Sequence, residues 1–176
     1  MMSRARRATL RRVVRELVRP GDDLDTVIRR LADRRGRALR VAPYPESVVT
    51  LARRRALTLP YGIWLGSETL GVDQIYYRAD LSVVHRGHVV AHELGHVALG
   101  HGTPLLESRT SLLTAVRARG GTGCGGHTVY TSPAERDAEE FAYLLEARLD
   151  TLGSLPQPTD DDPVAQRFAA ILGGSP

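Results

Sequence analysis

A chain of 176 residues, 42% of them hydrophobic and 25% charged, has the make-up of one globular domain with a modest core. No apolar run approaches the length of a bilayer-spanning helix, and the Arg-rich start lacks the continuous apolar segment of a secretory signal. A single cysteine excludes an internal disulfide, so the expectation is a cytoplasmic protein with no membrane association.

All 24 basic side chains are arginine, and they are unevenly placed. Residues 1–60 hold 16 Arg against 6 acidic residues, whereas the remainder holds 8 against 14. Such a basic half could meet nucleic acid or an acidic protein surface. It carries no interleaved aromatics and no recognisable reader motif, so a solvated Arg face is the simpler reading. Direct DNA binding through the basic N-terminal helices is the weaker alternative.

The first 37 residues read as two helices. Residues 4–18 place Leu10, Val13, Val14, Leu17 and Val18 on one side and Arg on the other, and Pro20-Gly21 ends the run. Asp22 or Asp23 can cap a second helix through Leu24, Val27, Ile28 and Leu31, ending near Gly36. A core from 38 to 152 follows. Ala38–Ala42 reads as a strand stopped by Pro43 and Pro45, and 47–55 as a short helix. Tyr61–Leu65 and Val72–Arg78 read as strands joined by a turn between Gly66 and Gly71. The second of these strands is the candidate edge, on which a bound peptide could add main-chain hydrogen bonds, the alternative being a strand buried by its neighbours. A helix spans about Val84 to Gly100, and Leu105–Arg119 is a further candidate. Residues 153–176 form a tail with a short helix. The fold class expected is α+β, a small sheet of about three strands packed by helices.

The Val84–Gly100 helix carries His92-Glu93-Leu94-Gly95-His96, an HExxH motif. Residues four apart share a helix face, so His92 and His96 can aim their imidazoles at one metal ion. Glu93, turned away by about 100°, can reach a water there as a general base. A zinc hydrolase needs a third protein ligand and an open position. His101 fails the metzincin spacing, which wants Gly at 99 and His at 102, where the chain has Leu99 and Gly102. The better source is Glu135-Arg136-Asp137-Ala138-Glu139-Glu140-Phe141-Ala142, a helix start capped by Ser132 with Pro133 in its first turn. Glu135 and Glu139 share a face, so Glu135 can ligate while Glu139 accepts a hydrogen bond from a ligating histidine. Zinc is the expected ion, although an N2O set also suits Mn or Fe.

HELGH followed by ERDAEEFA resembles the ImmA/IrrE family of metallopeptidases, over roughly Ala38–Leu149. Glu135 falls on that family's glutamate ligand, Glu139 replaces its usual Asn or Asp, and Asp137 replaces a common Glu. The resemblance implies a helix-packed small sheet and a zinc peptidase whose protein substrate is a helix-turn-helix repressor, cut or otherwise inactivated. The alternative is a non-catalytic zinc-containing module that sequesters such a regulator. Between the two motifs lies a glycine-rich stretch, 120–126, a candidate lid. His127 or Tyr130 could donate to a developing oxyanion, and the Cys124 thiolate could approach the metal. His85, His88 and His101 read as surface or packing residues, His88 sharing the His92 face.

Overall fold

A computed structural model describes residues 4–120, 132–149 and 162–173. Its elements are α1 (Arg4–Leu17), α2 (Leu24–Arg35), β1 (Ala38–Pro43), α3 (Glu46–Arg54), β2 (Gly62–Ser67), β3 (Val72–Tyr77), α4 (Val83–Leu99), α5 (Arg109–Gly120), α6 (Pro133–Glu146) and α7 (Pro163–Gly173). The fold is α+β, with one three-stranded mixed sheet ordered β1-β3-β2. β2 and β3 form an antiparallel hairpin, and β1 joins β3 in parallel after the α3 crossover.

Alternation along the strands sorts side chains to two cores. Trp64, Ile75, Tyr77, Leu39 and Val41 face one side, where they pack with Val14 and Leu17 of α1, Val27 and Leu31 of α2, Leu94 of α4 and Phe141 of α6. Ile63, Leu65, Val72 and Tyr76 face the other, against Val48 of α3, Val116 of α5 and Phe168 of α7. The sheet is thus covered on both faces, and every residue of β2 and β3 is buried. The C-terminal helix is part of this packing. Buried Asp162 accepts the Tyr76 hydroxyl at 2.6 Å and the Val164 N–H at 2.9 Å, tying the start of α7 to the middle of the sheet.

Two expectations change. Val72–Tyr77 is the central strand, paired on both sides, so it offers no free edge. A strand buried on both faces has the same short apolar signature whether it is central or peripheral. The edge beside the motif helix belongs to β2, and it is partly occupied. Thr103 donates to the Trp64 carbonyl at 3.0 Å, Gly66 donates to the Pro104 carbonyl at 3.2 Å, and Leu106 donates to the Gly66 carbonyl at 2.9 Å. Residues 103–106 therefore run along β2, and the helix after them starts at Arg109, later than the apolar pattern from Leu105 implies.

Both helices that carry the site are set by their caps. The Ser82 side chain accepts the His85 N–H, and Gly100 ends α4 in the left-handed conformation at φ 67°. The Ser132 side chain accepts the Glu135 N–H, with Pro133 following. Helices α4 and α6 run antiparallel, since His88 meets Glu146 while His96 meets Glu135. They touch closely at Gly95, where an added Cβ would lie 3.0 Å from Ala138 Cα and 3.1 Å from both the Ala138 carbonyl and a Phe141 ring carbon.

Alanine in place of a mid-helix glycine ordinarily stabilises a helix. Here Gly95→Ala is expected to destabilise by about 1–3 kcal/mol, because it forces α4 and α6 apart. Gly102→Ala, with nothing within 4 Å of the new methyl, should shift stability by less than about 0.5 kcal/mol. Denaturant midpoints of the two variants check the contrast, and equal midpoints would refute the close contact.

Candidate metal centre

Three histidines of α4 face α6, His88, His92 and His96, each one turn from the next. From α6, Glu135 and Glu139 point back at them. His92 Nε2 lies 3.1 Å from Glu135 Oε2 and 3.1 Å from His96 Nε2, and His96 Nε2 lies 3.4 Å from the same Glu135 oxygen. Tetrahedral ligands about 2.0–2.1 Å from a zinc ion stand about 3.3–3.4 Å from one another. The three donor atoms therefore fit one small divalent ion, and His92, His96 and Glu135 together could hold it.

Each histidine is oriented from behind. His92 Nδ1 faces Glu139 Oε2 at 3.2 Å, which leaves its Nε2 for the centre. Glu139 also faces His88 Nε2 at 3.4 Å through its other oxygen, and His88 Nδ1 meets Glu146 at 3.1 Å. The sequence reading gave His101 no such role, yet its Nδ1 is 2.9 Å from His96 Nδ1. Burial, reinforced by the charge of His96, lowers the His101 pKa, and a neutral His101 can accept the His96 Nδ1–H.

The carboxylates respond to this crowd of donors. Burial works to raise the Glu135 pKa, but hydrogen bonds from His92 and His96 and the charge of Arg119 hold it well below the carboxylate range. Glu139 is likewise held down, first by His88 and then by His92. In turn, although burial opposes charging of His92, its bonds to Glu135 and Glu139 push it up to about 9.

Glu93 stands beside this group and outside it. It is only 4% exposed, and its Oε2 accepts the Trp64 N–H at 3.0 Å. Gly62 permits that approach of β2 to α4. A Cβ there would sit 2.5 Å from Val89 Cγ1 and 3.2 Å from Glu93 Cγ. Arg119, near the end of α5, donates through Nη1 to both Glu93 oxygens at 3.1 Å and through Nη2 to Glu135 Oε1 at 3.2 Å. The attraction of Glu93, then of Glu135, raises the Arg119 pKa against its burial, so a permanent positive charge faces Glu93. The sequence reading missed Arg119. One arginine among 24 carries no local signal, and its arrival depends on where α5 docks. Cys124, His127 and Tyr130 lie outside the described residues, as does most of the candidate lid.

No family model, curated protein or solved structure matches the chain.

The geometry separates two carboxylates that the sequence left on one helix face. Glu135→Ala removes a donor atom of the triangle and should abolish tight metal binding. Glu139→Ala removes only the support behind His92 and should cost about 10–100-fold in affinity. A competition titration with a chromophoric chelator ranks them, and a larger loss from Glu139→Ala would exchange the two roles.

Proposed function

We propose that the chain is a zinc-dependent metallopeptidase with a zincin-like core, acting in the cytoplasm on a regulatory protein. One observation carries this reading. A two-histidine, one-glutamate triangle of the right size for a tetrahedral ion lies next to a buried carboxylate, Glu93, that is not itself one of the three donors. That is the set a hydrolytic centre requires, with a fourth position left for water and substrate. Manganese or iron also suits such donors, and the metal ranks after zinc only on the preference of His-rich sites.

Bound there, a zinc ion supplies Lewis acidity to the scissile carbonyl and to the attacking water. The protein supplies the rest. Glu93 takes the proton from the water and returns it to the leaving amine. Arg119, aimed at the same space, adds positive charge where the carbonyl oxygen becomes anionic. Glu139 and His101 hold His92 and His96 in the tautomers that leave both Nε2 atoms available. The choice of a helix-turn-helix repressor as substrate rests on the resemblance of HELGH and ERDAEEFA to the ImmA/IrrE family.

A second reading is favoured by one specific contact. Both Glu93 oxygens are engaged by Arg119, and one also by the Trp64 N–H, so the carboxylate is already occupied. A protein in that condition would be a metal-containing module that sequesters the regulator without cutting it.

Glu93→Gln distinguishes the two. The substitution keeps the shape of the side chain and all three donor atoms, so zinc content by elemental analysis should stay at about one ion per chain. A peptidase should lose roughly 10²–10⁴-fold in cleavage of the regulator, followed by blot at matched protein levels. Undiminished derepression of a reporter by Glu93→Gln, with the regulator intact, would establish the binding module instead. Wild-type protein that takes up no metal from a zinc-containing buffer would remove both readings.

A further inference from the structure

Helix α1 carries Arg4, Arg6, Arg7, Arg11, Arg12 and Arg15 against one acidic residue, Glu16. Tertiary packing divides these arginines into two groups. Arg6 pairs with Asp137, and Arg7 pairs with Glu140 at 2.7 Å, both on α6. Among the described residues, Arg4, Arg11, Arg15 and, just past α6, Arg148 form no ion pair and no side-chain hydrogen bond. They gather around two adjoining concavities of about 520 and 510 Å³. Arg11 and Arg15 wall both, so the two make one groove, with Arg148 at one end and Arg4 at the other.

We propose that this groove, walled by Arg4, Arg11, Arg15 and Arg148, binds the phosphate backbone of double-stranded DNA without reading its sequence. The chemistry of the lining selects this partner. A protein interface needs an apolar or aromatic centre. Among the described residues, the apolar lining here comes from Ala8, Leu144 and Ala147 alone. Single-stranded nucleic acid is held by aromatic platforms, and among the described residues no aromatic lines the groove. What the groove offers is a line of guanidinium groups, whose planar fork suits phosphate oxygens. Arg4 and Arg15 are eleven positions apart, about 16 Å along the helix. That span matches about five phosphates of one strand. Four like charges in one groove repel one another, and a polyanion relieves that repulsion while releasing its own counterions. The sequence alone favours a solvated face, because it cannot show Arg148 joining the row, Arg6 turning to Asp137, or Arg7, which also lines the groove, being neutralised by Glu140.

The test is fluorescence anisotropy of the full chain with a labelled duplex of about twenty base pairs and mixed sequence. Binding should be indifferent to sequence, and log affinity should fall with log salt at a slope of about −3 to −4, for four phosphates neutralised. Arg11→Glu with Arg15→Glu should weaken binding at least tenfold. Arg53→Glu with Arg54→Glu, an equal change of charge on exposed residues of α3, should leave it within about threefold. Circular dichroism and zinc content guard against misfolding in both double variants. Equal losses from the two would overturn the proposal in favour of diffuse net charge. Absence of binding at 50 mM salt would also overturn it, as would tighter binding of a polyglutamate peptide of matched charge, which would assign the groove to an acidic protein.

Discussion

The close contact of α4 with α6 at Gly95 is the constraint on which the site depends. Two helices normally stand 8–10 Å apart, at a distance set by the side chains between them. With no side chain at Gly95 and only a methyl at Ala138, these two approach until backbone meets Cβ position. Glutamate is short. Its Oε2 reaches two imidazoles one turn apart on the facing helix only because that gap is narrow. Gly95 is one of the unspecified positions of the HExxH pattern, yet it governs whether the third donor can join the other two.

Electrostatics then decides how the site is arranged. Three carboxylates, Glu93, Glu135 and Glu139, sit within a few ångströms of three histidines and one arginine. Burial would push such carboxylates toward their neutral forms, but the donors around Glu135 and Glu139 reverse that. The layers alternate in role. His88 meets Glu139 and Glu146, and His101 meets His96 from the side away from Glu135, so these residues restrict how Glu139 and His96 can turn. A donor triangle supported in this way keeps its ligand atoms oriented before any ion arrives, which lowers the entropy lost on binding.

The sheet serves as the frame for Glu93. β2 comes close enough for its Trp64 N–H to bond the carboxylate, since Gly62 has no side chain to hold α4 away. The same strand has its outer edge partly taken by residues 103–106, so a peptide extending the sheet there must displace or bypass that segment. Arg119 closes the arrangement from a third direction. It links Glu93 and Glu135 to the α5 helix. The Arg-lined groove of α1 touches α6 as well, which places it on a helix that also supplies Glu135 and Glu139.

Local patterning in the chain determined the helix carrying His92, Glu93 and His96, the capped helix carrying Glu135 and Glu139, the two basic helices and three short strands. Those features follow from periodicity, caps and residues four apart on one face, all of which act within a few turns of chain. The pairing of Glu135 with the two histidines was also legible, because a second acidic helix face had few other roles beside an HExxH motif. Tertiary structure alone decided the rest. Strand order is invisible in the sequence, because both β2 and β3 are buried along their whole length and neither carries the one-sided alternation of an exposed strand, so nothing local marks β3 as central. His101 and Arg119 gained their contacts only through the turn after Gly100 and the docking of α5. Arg6 and Arg7 differ from Arg11 and Arg15 in nothing a linear pattern can show. Only the approach of α6 brings carboxylates to the first pair and leaves the second without them, since Coulomb attraction depends on distance through space and not along the chain.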